Sequence, residues 1–284
     1  MTNTVKLEDL SQWTGRTEAS SDRITAAPVH ALRATLDLPA STVEGTGLPL
    51  PWHWLYFSSP AHAADVDVDG HPKRGGFLPP VPLPRRMWAG GRLEIKRPLT
   101  IGEDATRKST IKAVTVKEGR SGTLVFVTVL HEISDRHGLA ITEEQDLVYR
   151  DAPPANAAPA KQAPHGEEGT HSRQVTPDPV LLFRYSALTF NGHRIHYDRD
   201  YATAVEGYPG LVVHGPLIAT LLLDLLKREL PEAHIRHFSF KAVSPLIDIH
   251  PFSLHMKADA DGCMKLWALN HEGALAMTAE AQLA

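Results

Sequence analysis

The sequence YSALTFNGHRIHYDRDYA (residues 185–202), followed by YPGLVVHGP (208–216), decides how the rest of the chain is interpreted. Residues 185–190 are rich in aromatic and β-branched residues, and this composition predicts a strand that ends at the turn formed by Asn191 and Gly192. The polar side chains of Asn191, His193 and His196 would then be presented from the end of that strand, where they could hold a water molecule.

A strongly apolar segment follows. Pro216 suits the first turn of a helix, and Leu217 to Leu226 is almost wholly apolar, which predicts a helix enclosed by other elements. The unpaired N–H groups of its first turn, near Gly215, would form a small positive site for an oxyanion. A water site beside an oxyanion site is the outline of an enzyme.

Length and composition are those of a soluble globular protein. The 284 residues allow one large domain or two ordinary ones, with 42% apolar and 22% charged residues. A net charge of -4 gives no support for nucleic-acid binding, and the single cysteine, Cys263, excludes an internal disulfide. The amino terminus lacks a signal-peptide pattern and the longest apolar run is broken, so we expect a cytoplasmic protein without a membrane partner.

The first half of the chain predicts one helix followed by four strands. Ser21 and Asp22 are typical of a helix start, and this helix would end before Pro39. Residues 45–91 are dense in Pro, Gly and aromatic residues and are expected to form an ordered loop. Alternating patterns then predict antiparallel strands at Arg92–Lys96, Thr110–Val116, Thr123–Ile133 and Leu139–Tyr149.

Residues 152–175 have the Pro- and Ala-rich composition of a linker, which divides the chain into domains at 1–151 and 176–284. The second domain repeats the order of the first. It is predicted to contain a strand at Val180–Phe190, a helix at Pro216–Lys227, and strands at Ile235–Val243, Phe252–Ala258, Met264–Leu269 and Ala274–Ala281. A helix wrapped by an antiparallel sheet, twice over, is an α+β double hot dog fold.

The second half resembles the MaoC-like, (R)-specific enoyl-CoA hydratases. Their signature is D-x-N-P-[LIV]-H, then x-D-x-x-Y-A, then H-G before the central helix; here the runs are NGHRIH, YDRDYA and HGPL. The match places His196 on the family's catalytic histidine, Asp198 on the following acid and Gly215 on the glycine whose N–H binds the thioester oxygen. Asn191 departs from the pattern by replacing the catalytic Asp, and His193-Arg194 replaces Asn-Pro.

This version of the signature resembles a two-domain subgroup, the mesaconyl-C4-CoA (3-methylfumaryl-CoA) and itaconyl-CoA hydratases and the mitochondrial hydroxyacyl-thioester dehydratases. The first half agrees with it in WTGR and FLPPVPLPRRMWAGG. The resemblance implies a hydro-lyase that adds water to a C5 dicarboxylyl-CoA thioester and yields citramalyl-CoA. It implies no cofactor, since CoA is part of the substrate, and a first half that shapes the pocket but is catalytically silent.

Hydration requires proton transfer to and from water, and stabilisation of negative charge on the thioester oxygen. The imidazole of His196 suits the general base and acid, and the amide oxygen of Asn191 can orient water but cannot take its proton. The N–H of Gly215 would stabilise the enolate oxygen. Additional substrate contacts are predicted for His193, Arg194, Tyr197, His214, Arg85 and Arg86, the two arginines as partners of a free carboxylate.

Several assignments stay open at this point. His193 and His214 could serve only packing, and Asp198 is expected to cap a short helix at 199–206. The CoA phosphates could bind Lys227, Arg228, Arg236 or Lys241.

Rival functions are a hot dog acyl-CoA thioesterase, a 3-hydroxyacyl-thioester dehydratase of fatty acid metabolism and a non-catalytic acyl-binding protein. A metal hydrolase using His193 and His196 lacks a third convergent ligand, so no metal is predicted. A homodimer is possible.

Overall fold

The computed structural model describes residues 7–119, 122–151, 164, 166–259 and 261–284. Its helices are α1 (Ala26–Thr35), α2 (Pro179–Leu188) and α3 (Gly215–Glu229), together with several short helical turns. Its strands are β1 (Thr17–Arg23), β2 (Arg85–Ile95), β3 (Asp104–Gly119), β4 (Gly122–Asp135), β5 (Gly138–Arg150), β6 (His171–Val175), β7 (Ile235–Ala242), β8 (Phe252–Ala258), β9 (Cys263–Leu269) and β10 (Leu275–Leu283).

The strands form one sheet in the order β1-β3-β4-β5-β2-β7-β10-β9-β8-β6. The first five positions belong to the first half of the chain. The second half fills the other five in the mirrored order, so β1 corresponds to β6 and β2 to β7. The repeat predicted from the order of elements is therefore present in the sheet topology, and the two halves meet where β2 pairs with β7.

Two glycines allow β2 and β7 to approach closely. A Cβ atom on Gly90 would lie 2.5 Å from the carbonyl oxygen of Phe240, and one on Gly91 would lie 2.9 Å from the Phe240 ring. Both separations are shorter than van der Waals contact, so a side chain at either position would push the strands apart. The Gly-Gly pair thus allows the β2–β7 pairing that joins the two halves.

The helix α3 packs against β8, β9 and β10 and is enclosed, as predicted. Nine of its residues are buried, namely Leu217, Ile218, Ala219, Thr220, Leu221, Leu222, Leu223, Leu225 and Leu226. It begins one residue earlier than expected, at Gly215. Within the described ranges, none of the helices has the length and apolar character needed to cross a membrane.

The prediction of a strand at Val180–Phe190 is wrong, because most of these residues form α2. The carboxylate of Asp178 accepts hydrogen bonds from the N–H groups of Val180 and Leu181, at 2.7 and 3.0 Å, and Pro179 occupies the first turn. This Asp-Pro start favours a helix and outweighs the aromatic content of the segment.

The predicted helix start at Ser21 and Asp22 is also wrong. Both residues lie in β1, and α1 begins after Thr25, with Val29 and Leu32 buried. The Asp22 carboxylate instead accepts a hydrogen bond from the N–H of Phe57 at 2.8 Å.

Two other segments differ from the sequence prediction. The loop expected up to residue 91 gives way to β2 at Arg85. Most of the predicted linker, at 152–163 and 165, lies outside the described residues, and its last five residues form β6, which pairs with β8.

Loss of the α2 cap should lower stability. We expect Asp178→Ala to reduce the free energy of unfolding by about 1 kcal/mol, because two N–H groups of the first turn lose their acceptor. Urea titration followed by circular dichroism measures the change. Asp200→Ala is the control, since Asp200 is an exposed aspartate near the start of another helix and makes no cap hydrogen bond there; an equal loss in both variants would contradict this role for Asp178.

Candidate active site

His196 lies in a short helical turn, Arg194–His196, and is a buried residue with 8% of its surface exposed. The ring nitrogen Nδ1 lies 2.7 Å from the carbonyl oxygen of Val212, which can only accept, so Nδ1 carries the proton. Burial lowers the pKa of His196 to about 4, although the Val212 hydrogen bond raises it. The ring is therefore neutral near pH 7 with its lone pair on Nε2, which is the form required of a general base.

The start of α3 lies directly beside this ring. His196 stacks on His214, with ring centroids 3.7 Å apart and planes at 19°, and His214 is the residue before Gly215. Among the described residues, no protein group accepts the N–H of Gly215 or Leu217. The site thus brings together the imidazole and the helix N-terminus that the sequence predicted to be neighbours.

His214 is fully buried and has one unused ring nitrogen. Its Nε2 lies 2.8 Å from the hydroxyl of Ser186, while Nδ1 has no hydrogen-bonding partner in the described part of the chain. Burial, followed by the charges of His196 and His193, holds the pKa of His214 well below its usual value. A buried polar atom without a partner is costly, so Nδ1 is suited to bind water or substrate.

Asn191 holds the turn that carries the histidines. Its side-chain oxygen accepts a hydrogen bond from the N–H of His193 at 3.0 Å, and its own N–H donates to the carbonyl of Ser186 at 2.8 Å. The oxygen retains a second lone pair. Its predicted role in orienting water stays a prediction.

The ring of His193 stands edge-on to that of His196, with centroids 5.4 Å apart. Burial first, and then the charges of His71 and His196, lower the pKa of His193 to about 2. His193 is therefore neutral and sits against the proposed base.

Arg194, Asp198 and Tyr197 stabilise the same turn. Arg194 donates to the Asp198 carboxylate at 2.7 and 2.9 Å and lies over the ring of Tyr201, and Tyr197 donates its hydroxyl to the carbonyl of Gly192 at 2.9 Å. Asp198 also accepts the N–H of Tyr201 at 3.0 Å, which confirms the predicted cap. Arg194 and Tyr197, predicted as substrate contacts, thus use these polar groups within the protein.

Arg85 and Arg86 differ in their surroundings. Arg85 forms an ion pair with Glu206 at 3.3 Å and lies over the ring of Tyr208. Arg86 is half-buried and, among the described residues, makes no side-chain hydrogen bond or ion pair. Its charge contributes to the lowered pKa values of His71 and His193, so it faces the histidine cluster.

Asp69 and His71, which the sequence did not single out, also lie at the site. The rings of His71 and His193 have centroids 4.1 Å apart, and Nδ1 of His71 lies 3.0 Å from Asp69 Oδ2. The ligand atoms of Asp69, His71 and His193 lie within 4.8 Å of one another and could hold a metal ion. Both residues belong to the first half, which was expected only to shape the pocket.

The proposed phosphate-binding residues lie elsewhere. Lys227 is twelve residues beyond Gly215 on α3, about 18 Å along the axis, and Arg228 binds Asp224 at 2.9 Å. Lys241 lines a groove of about 580 Å³ on the sheet, together with Lys257, Lys265 and Trp267. This groove contains none of the predicted catalytic residues.

Comparison with known proteins agrees with this fold and sequence pattern. The protein-family model described as hydroxyacyl-thioester dehydratase type 2 matches residues 51–248. The mesaconyl-C(4)-CoA hydratase of Chloroflexus aurantiacus is 48% identical over 279 residues, which cover 97% of this chain and 98% of that protein.

Solved structures resemble the whole chain. HtdX of Mycobacterium tuberculosis has a TM-score of 0.65 at 18% identity and covers 95% of this chain and 100% of its own. A second protein of that organism, described as having a double hotdog fold, has a TM-score of 0.57 at 15% identity and covers 99% and 98%. These similarities confirm the double hot dog fold.

Because of the buried histidines, the free energy of unfolding should decrease as the pH is lowered. The folded pKa values of His193 and His196, about 2 and about 4, lie below the ordinary value, so the unfolded chain binds protons first as the pH drops. The stabilising contribution of each neutral ring is fully present above about pH 6.5. Below that pH, each ring lowers the free energy of unfolding by up to about 1.4 kcal/mol per pH unit.

Urea unfolding between about pH 7.5 and 5 measures this slope. His196→Asn should flatten it, whereas His62→Asn, which removes an exposed histidine, should keep the wild-type slope. A slope unchanged by His196→Asn would contradict the neutral, buried state of this ring.

Proposed function

Because the chain belongs to the hydroxyacyl-thioester dehydratase type 2 family, we propose that it is a hydro-lyase acting on a CoA thioester of a branched, unsaturated C5 dicarboxylic acid. The substrate is mesaconyl-C4-CoA or itaconyl-CoA, and the product is citramalyl-CoA. The 48% identity to a mesaconyl-C(4)-CoA hydratase over nearly the full length of both chains supports this substrate class. The reaction needs no cofactor, and we propose the cytoplasm as its compartment.

The observation that carries the proposal is the stacking of His196 on His214, the residue that directly precedes the first turn of α3. The Val212 hydrogen bond fixes the proton on Nδ1, so Nε2 can take a proton from water as the oxygen attacks the β carbon. In mesaconyl-C4-CoA, whose double bond is conjugated with the thioester, the electron pair of that bond moves towards the carbonyl and forms an enolate. His196 then returns the proton to the α carbon, which balances the addition of one water molecule.

The enolate oxygen needs a positive partner while it carries charge. The N–H of Gly215 supplies one. The dipole of α3, a helix of fifteen residues, adds partial positive charge at this end. Removal of one such donor typically raises a barrier by about 3 kcal/mol. The Nδ1 atom of His214, one residue before Gly215, has no partner in the described part of the chain and offers a further polar contact for the acyl group or the attacking water.

Arg86 suits the free carboxylate of the substrate. A half-buried guanidinium that has no partner among the described residues would form a charge-assisted, bidentate pair with that group. Arg85 is less suited, because Glu206 already neutralises it. Discrimination between dicarboxylyl and simple enoyl thioesters would then depend on one arginine of the pair.

A second candidate function comes from the family name. A dehydratase of 3-hydroxyacyl thioesters would use the same groups in the reverse direction, with an alkyl chain instead of the carboxylate. Rates for simple 3-hydroxyacyl-CoA esters above those for citramalyl-CoA would favour this function.

Replacement of His196 should abolish turnover. We expect His196→Ala to lower kcat at least about a thousandfold, since both proton transfers lose their carrier. Loss of the conjugated enoyl-thioester absorbance of mesaconyl-C4-CoA, and chromatographic detection of citramalyl-CoA formed from itaconyl-CoA, measure hydration, and thiol release measures hydrolysis. Wild-type hydration by the variant would refute the mechanism, and thiol release without hydration would identify a thioesterase.

Replacement of Arg86 should change substrate preference. We expect Arg86→Gln to lower kcat/KM for the C5 dicarboxylyl thioester by about 10- to 100-fold, because a charge-assisted pair is lost, and to leave crotonyl-CoA within about twofold. Arg85→Gln is the neighbouring control and should affect both substrates equally. An unchanged preference in Arg86→Gln would exclude Arg86 as the carboxylate partner.

A further inference from the structure

A loop of the first half is docked on the turn that carries the catalytic histidine. The loop residues 65–73 form a tight hairpin in which Asp67 N–H donates to the carbonyl of His71 at 2.7 Å. At its tip a Cβ atom on Gly70, whose φ is +89°, would lie 1.8 Å from the carbonyl oxygen of Gly192. The carbonyl of Asp69 also accepts the N–H of Arg194 at 2.9 Å, so backbone contacts fix the loop against residues 192–194.

The side chains of Asp69 and His71 form a closed pair within this loop. Asp69 Oδ1 accepts the backbone N–H of His71 at 2.8 Å, and Oδ2 accepts Nδ1–H of its ring at 3.0 Å. Burial raises the pKa of Asp69, but the His71 hydrogen bond and charge overcome it and hold this pKa well below its usual value. An ionised carboxylate thus fixes both the tautomer and the orientation of the ring.

The oriented ring of His71 continues a row of imidazoles that ends at the oxyanion site. Its centroid lies 4.1 Å from that of His193, which stands 5.4 Å from His196, which in turn stacks at 3.7 Å on His214. The row begins in the first half of the chain and ends beside Gly215. A shift of the first ring would therefore displace the others.

We propose that Asp69 and His71 are a positioning pair that holds His193 against the catalytic His196, so that both halves of the chain build one active site. This inference rests on the proposed function for its kinetic readout. Neither residue needs to contact the reacting atoms. Asp69 orients His71, His71 supports the ring of His193, and His193 packs edge-on against the base.

A metal site formed by the same residues fits less well. Both carboxylate oxygens of Asp69 are already used by His71, and a bound ion would have to displace the 3.0 Å hydrogen bond. The charge of Arg86 acts on both His71 and His193 and would repel a cation. The charged and titratable groups facing His193 are His71, His196, His214, Asp69 and Arg86, and none of them adds a second negative charge.

The test compares Asp69→Asn, His71→Phe and the double variant in the full chain. We expect each single change to lower kcat for the C5 thioester by about 10- to 100-fold with KM within about threefold, because the base is misplaced while the binding groups remain. Since Asp69 acts only through His71, the double variant should lose no more than His71→Phe alone. His62→Phe and Asp65→Asn, which change exposed residues shortly before the pair in the sequence, are the matched controls and should keep wild-type kinetics.

A readout independent of turnover is the ring resonances of His193 in histidine-labelled protein, assigned with His193→Gln. Asp69→Asn and His71→Phe should both shift them, and the two controls should not. Wild-type kcat in the single variants, multiplicative losses in the double variant, or unshifted His193 signals would each overturn the positioning role. Binding of one Zn²⁺ that depends on all three residues, with activity lost on chelation, would replace it by a metal site.

The same measurements separate this inference from the proposed function. If the wild-type protein hydrates neither C5 thioester, the proposed function fails, and the NMR comparison alone decides the positioning role. If the wild-type protein is active and the variants match it, the positioning role fails while the proposed function stands.

Discussion

The enclosure of α3 is the constraint on which the site depends. A helix with nine buried residues cannot shift without opening the core, so its first N–H groups have a fixed place. The segment just before it then fixes the base, because Val212 accepts the Nδ1 proton of His196 and His214 stacks on the ring. The proposed proton transfer and the proposed charge stabilisation would thus both depend on the same four residues, 212–215.

The histidine rings of the site are also kept neutral by burial. The pKa values of His71, His193, His196 and His214 are all lowered, chiefly because their rings are removed from water. Because the rings are neutral, the helix N-terminus and the nearby Arg86 are the positive groups of the site that are suited to bind a negatively charged substrate. Such fixed dipoles and charges act strongly where water is excluded.

Much of this arrangement was predictable from local sequence. The sequence pattern located four strands in each half, which overlap β2 to β5 and β7 to β10, but it missed β1 and β6. The spacing between His196 and Gly215 placed them together because both belong to one short stretch around a single helix start. The helix α2 was missed because aromatic content was weighed above the Asp178-Pro179 cap.

Asp69 and His71 were not predictable in the same way. They reach His193 from a distant part of the sequence, through the close backbone approach of Gly70 to Gly192. No periodicity or motif in either segment encodes that contact.

The pairing of β2 with β7 has a consequence for how such a protein can diverge. In a dimer of identical hot dog subunits, every substitution occurs at both symmetry-related positions, so the two centres must remain alike. Within one polypeptide the equivalent positions are free to differ, and residues of a half without its own active site can come to support the active site of the other half. The loop at residues 65–73 is such a case, because it belongs to the first half and contacts the site in the second half. A chain with one site for its two halves should be saturated by a single equivalent of a tight-binding thioester analogue.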